Sequence, residues 1–452
     1  MNIIWVVADT LRRDAVGAYG NKEMYTPSLD AFAEKSVRFD RYYAASFPTM
    51  PTRADYMTGR WTVAYMQWEP LHEGEITLAQ MLTQKRINTA AIIDTPFFMR
   101  NEMNYDRGFT TCEDMDCQLK GLRRVPIGEP VESLMEAQCC APKTFTAAMK
   151  WLELNYKSNF FLYIDTWDPH EPWNAPFYYT DMYWPDYDGE SLSVGMGHIE
   201  NSPGMTEEKV KKAYATYRGE VSMVDTWFGN LLRQVERMGL TDKTAIIFTT
   251  DHGTYFNEHD QRYGKIAFVG QGDPAAGKMP GLGRTPHYEE VIAIPLLIYM
   301  PGVGPGVYNG LTSAIDLMPT VLEMFGQDIP STVEGKSLVP KLKDKSLPGY
   351  DQVFTSFSFM NKGDTNVCAD GPLRTAEYDS MATVTTEEWS LIYDPNPGMS
   401  ELYNLKTDPG QTKNVISVNV EIAKQLHGLF VQHMRDTKVD ERFITPRLEL
   451  HL

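Results

Sequence analysis

The chain has 452 residues, 42% hydrophobic and 23% charged, an ordinary globular balance with length for two or three domains. It contains no run of about 18 apolar residues, so no membrane-spanning helix is expected. A formal net charge of −18, from 60 acidic against 42 basic residues, disfavours nucleic acid and anionic membranes as partners; a pocket for an anion would need its own local cations.

The opening residues, Met1 to Asp9, lack a basic segment, a long apolar core and a small-residue cleavage site. A buried strand is expected over 3–8, with no secretory signal and a cytoplasmic location. Thr26-Pro27-Ser28 opens a helix over 26–36, since proline suits the first helical position. A helix over 76–85 leads to a strand over 90–93 that ends in Asp94-Thr95-Pro96. A helix over 143–156 precedes a strand over 160–164, ending at Asp165, and a long helix over 206–238 precedes a strand over 245–249, ending before Asp251. Residues 294–299 form another buried run. Strands that alternate with helices imply an α/β fold with a mostly parallel sheet flanked by helices. Ligands bind beyond the carboxyl ends of such strands, where Asp9, Asp165 and Asp251 all stand.

Past residue 345 the texture changes to short strands over 353–359, 381–385 and 390–393, then a helix over 418–435. The expected architecture is a large α/β domain over 1–345 and a smaller α+β domain over 346–452, divided near the Pro/Lys-rich stretch 339–348. The tail 436–452 has no clear pattern and is the candidate for contact with a neighbouring subunit in a homo-oligomer. The five cysteines, Cys112, Cys117, Cys139, Cys140 and Cys368, are odd in number, form no regular framework and read as free thiols; Cys139-Cys140 lacks a second pair at metal-ligand spacing.

The most informative segment is Thr49-Met50-Pro51-Thr52-Arg53, followed by Met57-Thr58-Gly59-Arg60. Asp9-Thr10-Leu11-Arg12, Asp168-Pro169-His170-Glu171-Pro172 and Asp251-His252-Gly253 stand in order along the chain, with Lys265, Asp316-Leu317-Met318-Pro319 and Glu401-Leu402-Tyr403-Asn404 after them. Together these motifs resemble the sulfatase family of the alkaline phosphatase superfamily, over nearly the whole chain. The resemblance implies an alkaline-phosphatase-like fold, metal ligands at Asp9, Asp251 and His252, a substrate-contacting His170, and Thr49 at the position of the nucleophile. In sulfatases that position is a Cys or Ser oxidised to formylglycine, a route closed to threonine. Asp251-His252 in place of Asp-Asn resembles the phosphonate monoester hydrolase and phosphodiesterase branch. Threonine nucleophiles occur in nucleotide pyrophosphatases and phosphodiesterases, which use two metals; His287 with Asp165 or Asp168 is then the candidate second site.

The side-chain chemistry agrees with that reading. Two carboxylates, one imidazole and the Thr49 oxygen suit a divalent metal ion such as Mn2+, Zn2+, Ca2+ or Mg2+. Arg53 forks onto anionic oxygens in a geometry lysine does not offer, and Lys265 and His170 can offset charge on the transferred group or protonate the leaving oxygen. Blander readings exist: an Asp after a strand caps a helix, Thr49 between Pro48 and Pro51 is a turn residue, and Lys265 is a surface lysine. His259 reads as structural, His287 as pocket or core, and Asp94-Thr95 as pocket wall or helix start. The expectation is a metal-dependent hydrolase of a small anionic ester through Thr49, with phosphodiesters or phosphonate monoesters ahead of sulfate esters. A phosphotransferase or a catalytically silent binding protein are the alternatives of another class. The joint presence of Asp9, Arg53, Asp251, His252 and Lys265 speaks against silence.

Overall fold

A computed structural model describes residues 1–95, 97–117, 129–131, 133–192, 197–198, 205–269, 280–367 and 373–452. Strand β1 (Asn2–Ala8) is buried on both faces. Ile3, Trp5 and Val7 enter one hydrophobic layer, and Ile4, Val6 and Ala8 enter the other, as the two-residue period of a strand requires. The remaining strands of its sheet are β2 (Val37–Phe39), β4 (Asn88–Ile93), β5 (Thr111–Asp114), β6 (Phe160–Thr166), β7 (Thr244–Thr249), β8 (Leu296–Tyr299) and β9 (Gly306–Tyr308), where β3 (Ser46–Phe47) belongs elsewhere. The order is β9-β2-β8-β7-β1-β6-β4-β5. β1 pairs in parallel with β6 and β7, and β8 is antiparallel to both of its neighbours.

Helices cover both faces. One layer contains buried residues of Thr49–Thr58, Leu78–Gln84 and Leu317–Met324, and the other contains those of Pro27–Ala33, Cys140–Asn155 and Glu207–Arg237. Their ends are capped as the sequence suggests. Thr77 and Gln80 form a reciprocal capping box, Pro27 takes the first helical position, and the Thr206 hydroxyl accepts from the Lys209 amide at 3.2 Å. Glu207 and Glu208 in the first turn and Arg237 in the last complement the dipole of that long helix.

A second, five-stranded sheet contains β10 (Gln352–Phe357), β11 (Ala382–Thr386), β12 (Trp389–Tyr393) and β13 (Glu401–Asn404). Its fifth strand is β3, which pairs in parallel with β10 at the edge. Residues 46–47, directly before the Thr49 helix, therefore belong to a sheet built mainly from the last hundred residues.

The tail packs on its own chain, with Arg447 fully buried and donating to the carbonyls of Met360 (2.8 Å), Phe443 (2.8 Å) and Ser380 (3.1 Å). Tyr393 donates to the Glu449 carbonyl at 3.1 Å. A buried guanidinium with five donors needs that many acceptors, and backbone carbonyls supply them together with Asn361 Oδ1 at 2.8 Å. The four described cysteines are outside any disulfide, and Cys368 lies outside the described residues.

Candidate active site

Three of the parallel strands deliver carboxylates to one edge. Asp9 follows β1, Asp165 is the second-last residue of β6 and Asp251 follows β7, all fully buried. The helix Thr49–Thr58 begins at this edge, with Thr49 as its first residue, so the hydroxyl sits at the positive end of a helix dipole. That helix ends on Gly59, whose φ of +66° suits a residue without Cβ, and Tyr56 ties it to the loop after β7 by donating to the Thr250 carbonyl.

Asp9, Asp251 and His252 offer ligand atoms that all lie within 4.8 Å of one another. The Nδ1–H of His252 is donated to the Gly253 carbonyl at 2.9 Å, which leaves Nε2 as a lone pair facing Thr49 Oγ1 at 3.3 Å. Burial, reinforced by Lys265 and His170 against the pull of Asp251, lowers His252 to about 3, so the ring is neutral near pH 7 and a weak base. Burial, then repulsion from Asp251, raises Asp9 well above the usual carboxylate range. Burial opposes the Asp251 charge too, yet Arg53, then His252 and the Thr10 amide, hold it far below that range.

Arg53, fully buried, is the hub of the site. Its Nε and Nη2 fork onto Asp165 at 3.0 and 2.8 Å, Nη2 lies 3.0 Å from Asp9 Oδ2, and Nη1 donates to Asp251. Asp165 also accepts from Tyr163 at 2.8 Å and from Thr95 at 2.7 Å. Three buried carboxylates against one guanidinium leave two negative charges, which one divalent cation would offset. Asp9 Oδ2, buried and without a hydrogen bond, is a ready oxygen ligand. The residues present therefore fit a hard or borderline divalent ion.

Lys265, 5% exposed, donates to Thr10 Oγ1 at 2.9 Å and lies 3.5 Å from Glu171 Oε2. His170 stacks on Trp167 at 3.9 Å between ring centroids and gives its Nδ1–H to the Glu171 carbonyl at 2.6 Å. Burial, then Lys265, lowers His170 well below its ordinary value, and the charges of Asp251 and Arg53 reach it as well. Asp9, Thr49, Arg53, His170, Asp251, His252 and Lys265 thus form one electrostatic unit.

Sequence reasoning passed over Tyr163 and gave Thr10 no role of its own, while Thr95, read there as pocket wall or helix start, donates to Asp165. Thr10 has a φ of +63°, costly for a β-branched residue, and from there gives its amide to Asp251 at 3.0 Å and its hydroxyl to Asp9 at 2.6 Å. Tyr163 stands two residues before Asp165 on one strand, so the strand period already placed both on one face.

The proposed second metal group does not assemble. Asp165 is consumed by Arg53, Tyr163 and Thr95, and Asp168 accepts the Ala141 amide at 2.8 Å at the start of the Cys140–Asn155 helix. His287 packs against Phe47 at 4.6 Å with both ring nitrogens buried and unpaired, and burial lowers it to about 3. His259 is structural, paired with Glu290 at 2.8 Å and stacked on Tyr288 at 3.6 Å.

Residues 1–327 match the family model described as Sulfatase, and residues 284–436 match that of the N-sulphoglucosamine sulphohydrolase C-terminal region. An arylsulfatase of Clostridium perfringens is 23% identical, covering 92% of this chain and 90% of its own length. A multifunctional alkaline phosphatase superfamily protein of Trinickia caryophylli is also 23% identical, covering 92% and 91%. The solved phosphonate monoester hydrolase of Silicibacter pomeroyi superposes with a TM-score of 0.76 over 97% of this chain and 96% of its own, at 20% identity.

Proposed function

The chain belongs to the sulfatase family and is a hydrolase of anionic esters; from that premise we propose that it cleaves phosphodiesters or phosphonate monoesters with unmodified Thr49 as the nucleophile. The observation that carries the reading is the Thr49 hydroxyl, 3.3 Å from His252 Nε2 and at a helix N-terminus, in a site where the nearest imidazole is too weak a base to ionise it. A divalent ion held by Asp9, Asp251 and His252 would supply the positive charge that favours the ionised hydroxyl.

Thr49 Oγ1 then bonds to phosphorus as the bond to the leaving oxygen breaks. Lys265 carries the proton that the leaving oxygen takes up. Water then attacks phosphorus, the Thr49–phosphorus bond breaks and the proton the water gives up returns to Thr49 Oγ1, while His170, whose Nδ1–H is committed to Glu171, keeps Nε2 to accept a hydrogen bond in the site. Arg53, its fork fixed by Asp165, keeps Asp9 and Asp251 in place beside Thr49 and adds positive charge to the site.

The preference for phosphorus follows from the nucleophile. A formylglycine hydrate expels its adduct by collapsing to the aldehyde, whereas a threonine adduct has one oxygen and leaves only when water attacks the transferred atom. The test is a panel of aryl phosphodiester, phosphonate monoester, phosphate monoester and sulfate substrates with several metals, run on wild type, Thr49→Ala and Thr49→Ser. Thr49→Ala loses at least ~1,000-fold in kcat/KM, Thr49→Ser keeps a substantial part, and the intact mass shows unmodified threonine. Robust sulfate turnover with little phosphodiesterase activity overturns the substrate assignment, and an active Thr49→Ala overturns the nucleophile.

A further inference from the structure

Beside the active site lies a second cluster of ligand-type side chains, and its chemistry is different. Asp94 ends β4, Cys117 follows β5, and Cys140 opens the helix Cys140–Asn155; their ligand atoms all lie within 4.8 Å of one another. Asp94 is 1% exposed. Its carboxylate accepts from Thr144 at 2.6 Å, from Thr166 at 3.2 Å and from the Trp167 amide. Three of roughly four acceptor positions are used, which leaves one for a further partner.

Every one of those three donors is neutral, and no lysine or arginine pairs with Asp94 among the described residues. Asp168 adds another buried carboxylate, while Lys143, the cation felt by Cys117 and Asp168, gives its ammonium to the Gln138 carbonyl at 2.6 Å. A buried carboxylate beside two sulfurs, with no cation paired to the carboxylate among the described residues, is the setting that a metal ion completes. Cys140 and Thr144 stand four residues apart, so one helix face turns both toward Asp94. Cys140 is only partly buried, which leaves a way in.

We propose that Asp94, Cys117 and Cys140 form a metal site for a thiophilic divalent ion such as Zn2+, separate from the Asp9–Asp251–His252 group. Two sulfurs and one carboxylate select zinc over magnesium or calcium, with the fourth tetrahedral position left to water. Zn–S and Zn–O bonds of about 2.3 and 2.0 Å place such ligand atoms about 3.5–3.8 Å apart, within reach of small side-chain rotations from the observed cluster. A disulfide between Cys117 and Cys140 would have no use for Asp94. The ion would clip the segments after β4 and β5 to the helix Cys140–Asn155, behind the loop that carries His170, because Asp94 also holds the Trp167 amide and Trp167 stacks on His170.

The test is titration of the reduced, chelator-stripped full chain with Co2+, followed by Zn2+. Thiolate ligation gives an intense sulfur-to-cobalt charge-transfer absorption, and the Asp9–Asp251–His252 group, which has no sulfur, cannot produce it. Wild type is expected to show that absorption and to lose it on adding Zn2+, with two thiols becoming protected from a thiol reagent. Cys117→Ser and Asp94→Asn should weaken binding at this site by more than ~100-fold, the upper end for loss of an outer contact alone. Absence of the charge-transfer band in wild type with no thiol protected by Zn2+ overturns the proposal. So does an intact mass two hydrogens lighter before reduction with both cysteines linked, which would make the pair a disulfide. The wild-type spectrum decides even if the variants fold poorly.

Discussion

Asp165→Asn would remove the fork that orients Arg53 while keeping the shape of the side chain. In the native site Asp165 accepts four hydrogen bonds, two from Arg53 at 2.8 and 3.0 Å, one from Tyr163 at 2.8 Å and one from Thr95 at 2.7 Å. Breaking a buried ion pair costs about 3–5 kcal/mol, and the low end applies because Arg53 retains Asp9 and Asp251. An asparagine amide also meets donors on every side, so at least one buried donor goes unsatisfied, at a cost of about 1–3 kcal/mol. A total of roughly 4–6 kcal/mol follows. Unfolding entropy of about 2.1 cal/mol/K per residue, over 452 residues, makes that a fall in Tm of roughly 4–6 °C. Loss of the fork's alignment should lower kcat/KM by about 100-fold, whereas Tyr163→Phe, which removes one neutral hydrogen bond, should cost only about 1 kcal/mol. Differential scanning calorimetry and steady-state kinetics on both variants check this. If Asp165→Asn stays within 1 kcal/mol of wild type, or matches Tyr163→Phe, Arg53 is not held as argued.

Lys265→Ala should lower kcat/KM by about 100-fold for esters of poorly acidic alcohols and by less than ~10-fold for activated aryl esters; equal losses would give Lys265 a ground-state or structural role. Asp55, buried on the nucleophile helix, is pushed up to about 7 by burial, against its hydrogen bonds from Thr62 and Ser46. A folded value above the unfolded 3.8 means that its contribution is full below about pH 4 and lost as pH rises through 7, by up to roughly 4 kcal/mol. Asp55→Asn should therefore gain stability relative to wild type between pH 4 and pH 8 in denaturant titrations, and parallel curves for the two proteins would contradict it.

Much of the fold was legible because its long elements carry strong periodic signals. Strand β1 and the helix Glu207–Arg237 stand within a residue or two of where alternation and capping placed them. Strands β2, β3 and β9, two or three residues long, are too short for any period to register. The residues of the site were legible through motif chemistry and strand ends, since Asp9, Asp165 and Asp251 each close a buried run. The role of Asp165 was not, because a carboxylate that binds a metal and one that anchors a guanidinium look alike in sequence. Asp94, Cys117 and Cys140 were equally hidden: three segments of the chain meet there, and no ligand spacing announces them. The packing of the tail was hidden because Arg447 binds mainly backbone carbonyls, a partnership that no side-chain pattern records.

Strand β3 pairs with the second sheet and ends one residue before Pro48, with Thr49 beyond it. The last hundred residues are thus not a detachable module. A chain cut near residue 345 would leave Ser46 and Phe47 without their partner strand, and the open edge would sit two residues from the nucleophile. Loosening of the C-terminal sheet by heat, mutation or proteolysis would reach the reacting oxygen through one short stretch of backbone. For anyone dividing, fusing or circularly permuting this protein, the usable cut points lie in the surface loops between other elements, and the two sheets should travel together.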